Sequence, residues 1–203
     1  MNRSGKPFKV GVTGGIGSGK SFVCKIIEQM GYPVYFCDQR AKELMVSDRI
    51  IISRLTELLG NQVYVKDNEG SLVLNKPVVE KYIFASAEHT GIINSIVHPV
   101  VKNDFLRWAE EQDSDIVFVE SAIFKEAGFL DSLDAVIGVT APLDVRIQRV
   151  IKRDNTTPER IEARIRQQSA DDEIREFCHF VIVNDGDSPL DEQIKSIIKS
   201  FNV

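Results

Sequence analysis

The residues best placed to do chemistry lie in one short run, Gly14-Gly-Ile-Gly-Ser-Gly-Lys20-Ser21, which has the spacing G-x-x-x-x-G-K-S. An apolar stretch, FKVGVT, precedes it and a helix-period stretch, FVCKIIEQM, follows it. That order is what a triphosphate requires. Gly14, Gly15, Gly17 and Gly19, with Ser18 among them, let backbone N–H groups turn inward around phosphate oxygens, and the N-terminus of the following helix adds partial positive charge. Lys20 reaches the β and γ phosphates, and the Ser21 hydroxyl ligates Mg²⁺. A dinucleotide loop is excluded by spacing: G-x-G-x-x-G counted from Gly15 meets Lys20, and from Gly17 it meets Phe22.

A phosphate loop alone leaves the use of the triphosphate open. A guanine-reading NKxD is missing, because the one Asn-Lys pair runs Asn75-Lys76-Pro77-Val78. A small-molecule kinase needs instead a group to orient the acceptor hydroxyl, an acid near Mg²⁺, and cations around the phosphoryl in flight. Asp38 follows the apolar run PVYFC at the carboxyl end of a predicted strand, where open α/β sheets place ligands. It is the candidate acceptor-orienting group or base, although an aspartate there would also cap a helix starting at Gln39. Glu120 ends the run IVFVE in the same way and would contact Mg²⁺ through water, or the acceptor. Arg149 and Arg153 lie four residues apart on one face of a predicted helix, so both can address one ligand. They belong to a basic segment: residues 146–166 carry seven basic and three acidic side chains, a local charge of +4 on a body of −9. A cationic arm of this kind suits a lid closing over polyphosphate.

The elements that must position these groups read as α/β. Strand candidates at about 8–13, 33–37, 116–120, 135–140 and 180–183 alternate with helical segments, which predicts a three-layer fold around a five-stranded parallel sheet. Thr157 and Ser188 each precede a proline and read as helix N-caps; Ser188 and Asp191 have capping-box spacing. Residues 38–114 are too long for a simple crossover. They read as two helices, a hairpin over 63–74 turning at Asn68-Glu-Gly70, and further helices from about 76 to 112. The expected organisation is a single chain with a core of about 7–38, 115–145 and 177–203, a helical substrate-binding insertion at about 39–114 and a lid at about 146–176.

Composition narrows the partners. With 203 residues, 43% hydrophobic and 27% charged, the chain is long enough for a sizeable core and is not a disordered composition. Net charge −5 disfavours nucleic acid and an anionic membrane as partners, and no apolar run is long enough to span a bilayer. The N-terminal MNRSGKPFKV lacks an apolar region of the secretory type. Cys24, Cys37 and Cys178 are odd in number and widely spaced, and His89, His98 and His179 form no metal-ligand spacing, so a reducing, cytoplasmic compartment is expected. Sequence leaves the oligomeric state open.

Taken in order, these pieces resemble the dephospho-CoA kinase family. Thr13-Gly-Gly-Ile-Gly-Ser-Gly-Lys-Ser21 is similar to the family's opening loop, and Asp38 with Ala41 falls on the second aspartate of its DAD segment and the alanine after it. Ile96-Val-His-Pro99 resembles an HP element that the family places in its CoA-binding helices. Glu120 and Glu126-Ala-Gly128 match an acid and an ESG stretch, Arg149 with Arg153-Asp154 the R-x-x-x-R-D lid, and Arg164 with Gln168, then Val183-Asn-Asp-Gly186, the closing elements. The resemblance implies transfer of the ATP γ-phosphoryl to the ribose 3′-hydroxyl of dephospho-CoA, with Mg²⁺, and puts His98 on the acceptor side. Departures are Phe36 for the first aspartate of DAD, Phe22 for a threonine, Lys42 for an arginine, Ala122 for a proline and His179 for an aspartate. At Phe22 a hydroxyl is lost, while the backbone N–H is expected to bind phosphate still.

Overall fold

The structure is a computed structural model that describes residues 6–154, 157, 161 and 176–201. Five strands form one parallel sheet: β1 (Phe8–Thr13), β2 (Val34–Phe36), β5 (Ile116–Glu120), β6 (Ala135–Thr140) and β7 (Phe180–Val183), in the order β2-β5-β1-β6-β7. β1 is central and pairs with both β5 and β6. Its neighbours are buried nearly throughout, as continuous apolar strands between helical layers should be. Gly11 shows how tight that packing is, because a Cβ there would lie 2.7 Å from Leu133 and 2.8 Å from Phe124.

Among the described residues, three α-helices lie wholly within the first compact unit, residues 1–35 and 109–203. They are α1 (Lys20–Gln29), α6 (Leu143–Asp154) and α7 (Leu190–Ser200). Val23, Cys24 and Ile27 of α1, Val150 of α6 and Ile194 of α7 are fully buried. α1 stops where Gly31 takes a left-handed φ of 93° and its N–H donates to Glu28 O. α7 starts one residue later than its sequence signals suggest. Pro189 is its N-cap residue, and the Ser188 hydroxyl donates to Asp185 Oδ2 at 2.9 Å instead of capping the helix.

The second compact unit, residues 36–108, holds α2 (Cys37–Ser47), α3 (Arg49–Leu59), α4 (Lys76–Ala85), nearly all of α5 (Ala87–Glu110), and the antiparallel pair β3 (Tyr64–Lys66) and β4 (Leu72–Leu74). The hairpin turn is built by Asp67, whose carboxylate accepts from the N–H groups of Glu69 and Ser71, with Gly70 at φ 83°. Asp48 caps α3 through the N–H groups of Ile50 and Ile51. α5 continues through Pro99. Arg40 of α2 grips Asp104 of α5, with Nε 2.8 Å from Oδ2 and Nη2 3.3 Å from Oδ1, which ties those two helices together. Of the expected lid, 155, 156, 158–160 and 162–175 lie outside the described residues, so the helix after Thr157 and the matches at Arg164 and Gln168 fall there.

Candidate active site

β1 hands the chain to the phosphate loop at Thr13, and α1 takes it back at Lys20. Gly17 and Gly19 have φ of 77° and 90°, values an L side chain rarely adopts, and Gly19 serves as the helix N-cap without any side-chain cap. The first turn of α1 is thereby left open to an anion. Inside the loop, Ser18 Oγ is buried and has no hydrogen-bond partner, and neither has Thr13 Oγ1.

Opposite the loop stands Glu120. The register Val12↔Glu120 brings the last residue of β5 level with the start of the loop, and Glu120 is only 4% exposed. Its Oε1 lies 3.6 Å from Lys20 Nζ and 3.4 Å from Ser21 Oγ. Hydroxyl and carboxylate oxygens are the donors a hard cation selects, so this pair fits Mg²⁺. Beneath it, burial first and then the Glu120 charge push the Cys24 thiol well above its usual range, so that Cys24 is an inert packing group.

α6 supplies the cations. A cavity of about 190 Å³ is lined by Gly15, Gly17, Gly19, Lys20, Ser21, Arg149, Val150 and Arg153, which brings both predicted arginines to the loop. Their engagement differs. Arg149 Nη1 donates to Asn184 O at 3.0 Å and to Ser18 O at 3.4 Å, and its Nη2 donates to Asn184 Oδ1 at 3.1 Å. Arg153 instead forms two hydrogen bonds with its neighbour Asp154, at 2.6 and 2.9 Å, and its side chain is 64% exposed. A second cavity of about 340 Å³ adjoins the first and is walled by Gly19, Phe22, Arg149, Asn184, Gly186, Ser188 and Leu190. Phe22 N–H donates to Gly19 O at 2.9 Å, and its ring is exposed.

Two members of the site were given no individual role from sequence. Arg146 reads as one more charge of the basic arm, yet it is 3% exposed, its Nε donates to Ile16 O at 2.9 Å, and its guanidinium occupies the space a Cβ on Gly15 would need. Asn184, also buried, donates from Nδ2 to Ser18 O at 2.9 Å. The remaining predicted residues, Asp38 and His98, belong to the second unit. Asp38 is exposed in the first turn of α2, which starts at Cys37 with Phe36 as its N-cap residue, so its carboxylate does not cap the helix. His98 is half-buried on α5.

A parallel sheet with a G-x-x-x-x-G-K-S loop after its central strand, an acid closing the neighbouring strand and arginines over the loop define a phosphate-loop kinase. Comparison with known proteins makes this specific. The family model described as Dephospho-CoA kinase matches residues 8–189, and the chain belongs to that family. It is 44% identical to a Dephospho-CoA kinase of Bacteroides fragilis over 191 residues, covering 94% of this chain and 91% of that one. Among solved structures, a Thermus thermophilus protein aligns with a TM-score of 0.82 at 26% identity, over 98% of this chain and 99% of the other. The Dephospho-CoA kinase of Campylobacter jejuni, at 20% identity, shares the fold with a TM-score of 0.68 over 95% of this chain and 96% of the other.

Proposed function

We propose that the protein transfers the γ-phosphoryl group of ATP to the ribose 3′-hydroxyl of dephospho-CoA, giving coenzyme A and ADP, the last step of coenzyme A synthesis. The observation that carries this reading is family membership over residues 8–189, joined to a phosphate loop with its lysine, serine, acid and arginines in one place. In the reaction a bond forms between the acceptor oxygen and the γ-phosphorus while the β–γ bridging bond breaks. The acceptor proton leaves to a base.

Little covalent work falls to the protein, so its residues position groups and neutralise charge. The loop N–H groups and Lys20 hold the β and γ phosphates. Ser21 and Glu120 would hold Mg²⁺, Glu120 through water; when bound, the ion supplies positive charge at the β and γ oxygens. Arg149 meets the phosphates from α6, and Arg153 joins it by exchanging Asp154 for a phosphate oxygen. The nucleoside end of ATP lies in the cavity with Phe22 and Leu190 as its apolar wall. Asp38 orients the acceptor hydroxyl and takes its proton, and the helical insertion, His98 included, receives the CoA moiety. The basic segment at about 146–176 acts as the lid.

No helix among the described residues is long and apolar enough to cross a membrane. The three cysteines are all free, which suits a cytoplasmic setting. Small molecules, rather than nucleic acid or membrane, are the partners proposed. ADP release measured with ATP alone, with dephospho-CoA, and with nucleoside monophosphates tests the function. Release that depends on dephospho-CoA is expected. Equal or greater release with a nucleoside monophosphate would make the chain a different small-molecule kinase, and release with no acceptor dependence would reject the proposal.

A further inference from the structure

Asn184 joins three parts of the nucleotide unit. Its backbone N–H donates to Thr140 O at 2.8 Å, continuing the β6–β7 ladder one step past the pair Thr140↔Val183, so the residue is fixed to the sheet. Its Nδ2 donates to Ser18 O in the phosphate loop, a buried contact across 166 residues of chain. A Cβ on Gly19 would collide with that same Nδ2, so the loop approaches Asn184 as closely as a glycine permits. With Nδ2 facing a carbonyl and Oδ1 facing a guanidinium, only one orientation of the amide satisfies both ends.

The arginine side of the contact has a direction. Nη1 and Nη2 of Arg149 reach Asn184 O and Oδ1 together, so the end of the planar guanidinium is used, and Nη1 also touches Ser18 O. A guanidinium has five N–H donors in a rigid fork. The Nε–H and the second N–H of Nη2 share the other edge and have no partner among the described residues. Arg149 lines both cavities at the loop.

We infer that Asn184 is a positioning residue for phosphoryl transfer: its two oxygens hold one edge of Arg149 and leave the Nε–Nη2 edge for two phosphate oxygens. Asn184 need not touch the transferred group. It converts a long, rotamer-rich cation into a preorganised one, anchored to the same loop that grips the triphosphate. The inference rests on the reading of Arg149 as a phosphate-binding group in the proposed reaction.

A mutant cycle on the full chain tests it, using Asn184→Ala, Arg149→Ala and the double variant in the acceptor-dependent ADP-release assay. Asn184→Ala is expected to lower kcat on the order of 10- to 100-fold, with a smaller change in KM for ATP. In the Arg149→Ala background the same change should alter kcat by no more than about twofold, because the group it positions is gone. Losses that multiply in the double variant would make Asn184 a general structural residue and overturn the inference. Should Asn184→Ala not fold, Arg149→Lys carries the test: a lysine keeps the charge but not the fork, so kcat as low as in Arg149→Ala supports the inference and near wild-type kcat rejects it. Wild-type dependence on dephospho-CoA, read in the same assay, separates a failure of this inference from a failure of the proposed function.

Discussion

Ser21 Oγ and Glu120 Oε1 stand 3.4 Å apart, and the same carboxylate oxygen is 3.6 Å from Lys20 Nζ. One buried acid thus reaches both the hydroxyl proposed to hold Mg²⁺ and the lysine proposed to hold phosphate, on a chain segment 99 residues from Ser21. Glu120→Gln keeps the shape and removes the charge. It should lower activity on the order of 10- to 100-fold and raise the Mg²⁺ concentration needed for half-maximal turnover, as loss of an outer-shell partner does. A Mg²⁺ titration of initial rates checks this, and an unmoved Mg²⁺ dependence would leave Glu120 as a structural strand end.

Lys20 lines the loop cavity in which the proposed reaction places the phosphates. Replacing it by alanine removes a preorganised cation from the site, for which a loss on the order of 10²- to 10³-fold in kcat is expected. Steady-state ADP release measures it. Turnover at the wild-type rate would remove the phosphate-loop assignment.

Asp38 is exposed in the first turn of α2 and makes no cap, which leaves its carboxylate available to a substrate. Asp38→Asn should lower kcat on the order of 10²- to 10⁴-fold, the range for loss of a positioned base, while ATP binding measured by calorimetry stays near wild type. An unchanged kcat would reduce the carboxylate to a favourable charge at a helix N-terminus.

Arg146 supports the loop from within the unit. Arg146→Met fills similar space but removes the charged donor that Ile16 O accepts from, and losing a hydrogen bond to a charged group costs about 1.5–3 kcal/mol. For a chain of this size that is a fall in Tm of about 2–4 °C per kcal/mol. The rise in Tm on adding ATP should also shrink, because the loop is no longer held in its binding form. Thermal melts with and without ATP test both; an unaltered ATP-dependent rise would confine Arg146 to general packing.

The contrast between Lys20 and Arg146 explains what sequence could disclose. The loop from Gly14 to Ser21 is a local motif, with its strand and helix adjacent, and the sheet strands are apolar runs that need no partner to be recognised. Arg146 and Asn184 act on carbonyls 130 and 166 residues away, and nothing local tells a buried arginine from the exposed members of a basic segment. Helix caps depend on the surrounding chain in the same way. At Asp38 the strand β2 runs directly into α2 and the helix starts at Cys37 without a side-chain cap, whereas at Ser188 the neighbouring Asp185 takes the hydroxyl first.

Alkaline pH should expose the cost of burying two acidic protons. Burial pushes the Cys178 thiol up to about 11 from an ordinary value near 9, and the Tyr64 hydroxyl up to about 12 from 10. In both cases the folded state favours the neutral form, while the unfolded chain releases the proton at the ordinary value. Below about pH 9 neither group distinguishes the two states, and stability is at its full value. Between 9 and 11 for Cys178, and between 10 and 12 for Tyr64, the folded protein retains a proton that the unfolded chain has lost, so stability falls as pH rises. Cys24, raised by deeper burial, adds to the fall. Tm measured from about pH 8 to about pH 11 should therefore be level at first and then decline. Cys178→Ser should make the decline shallower in its first part, since the tyrosine contribution starts later. A Tm that holds steady across the whole range would mean that these groups ionise in the folded protein as readily as in the unfolded chain.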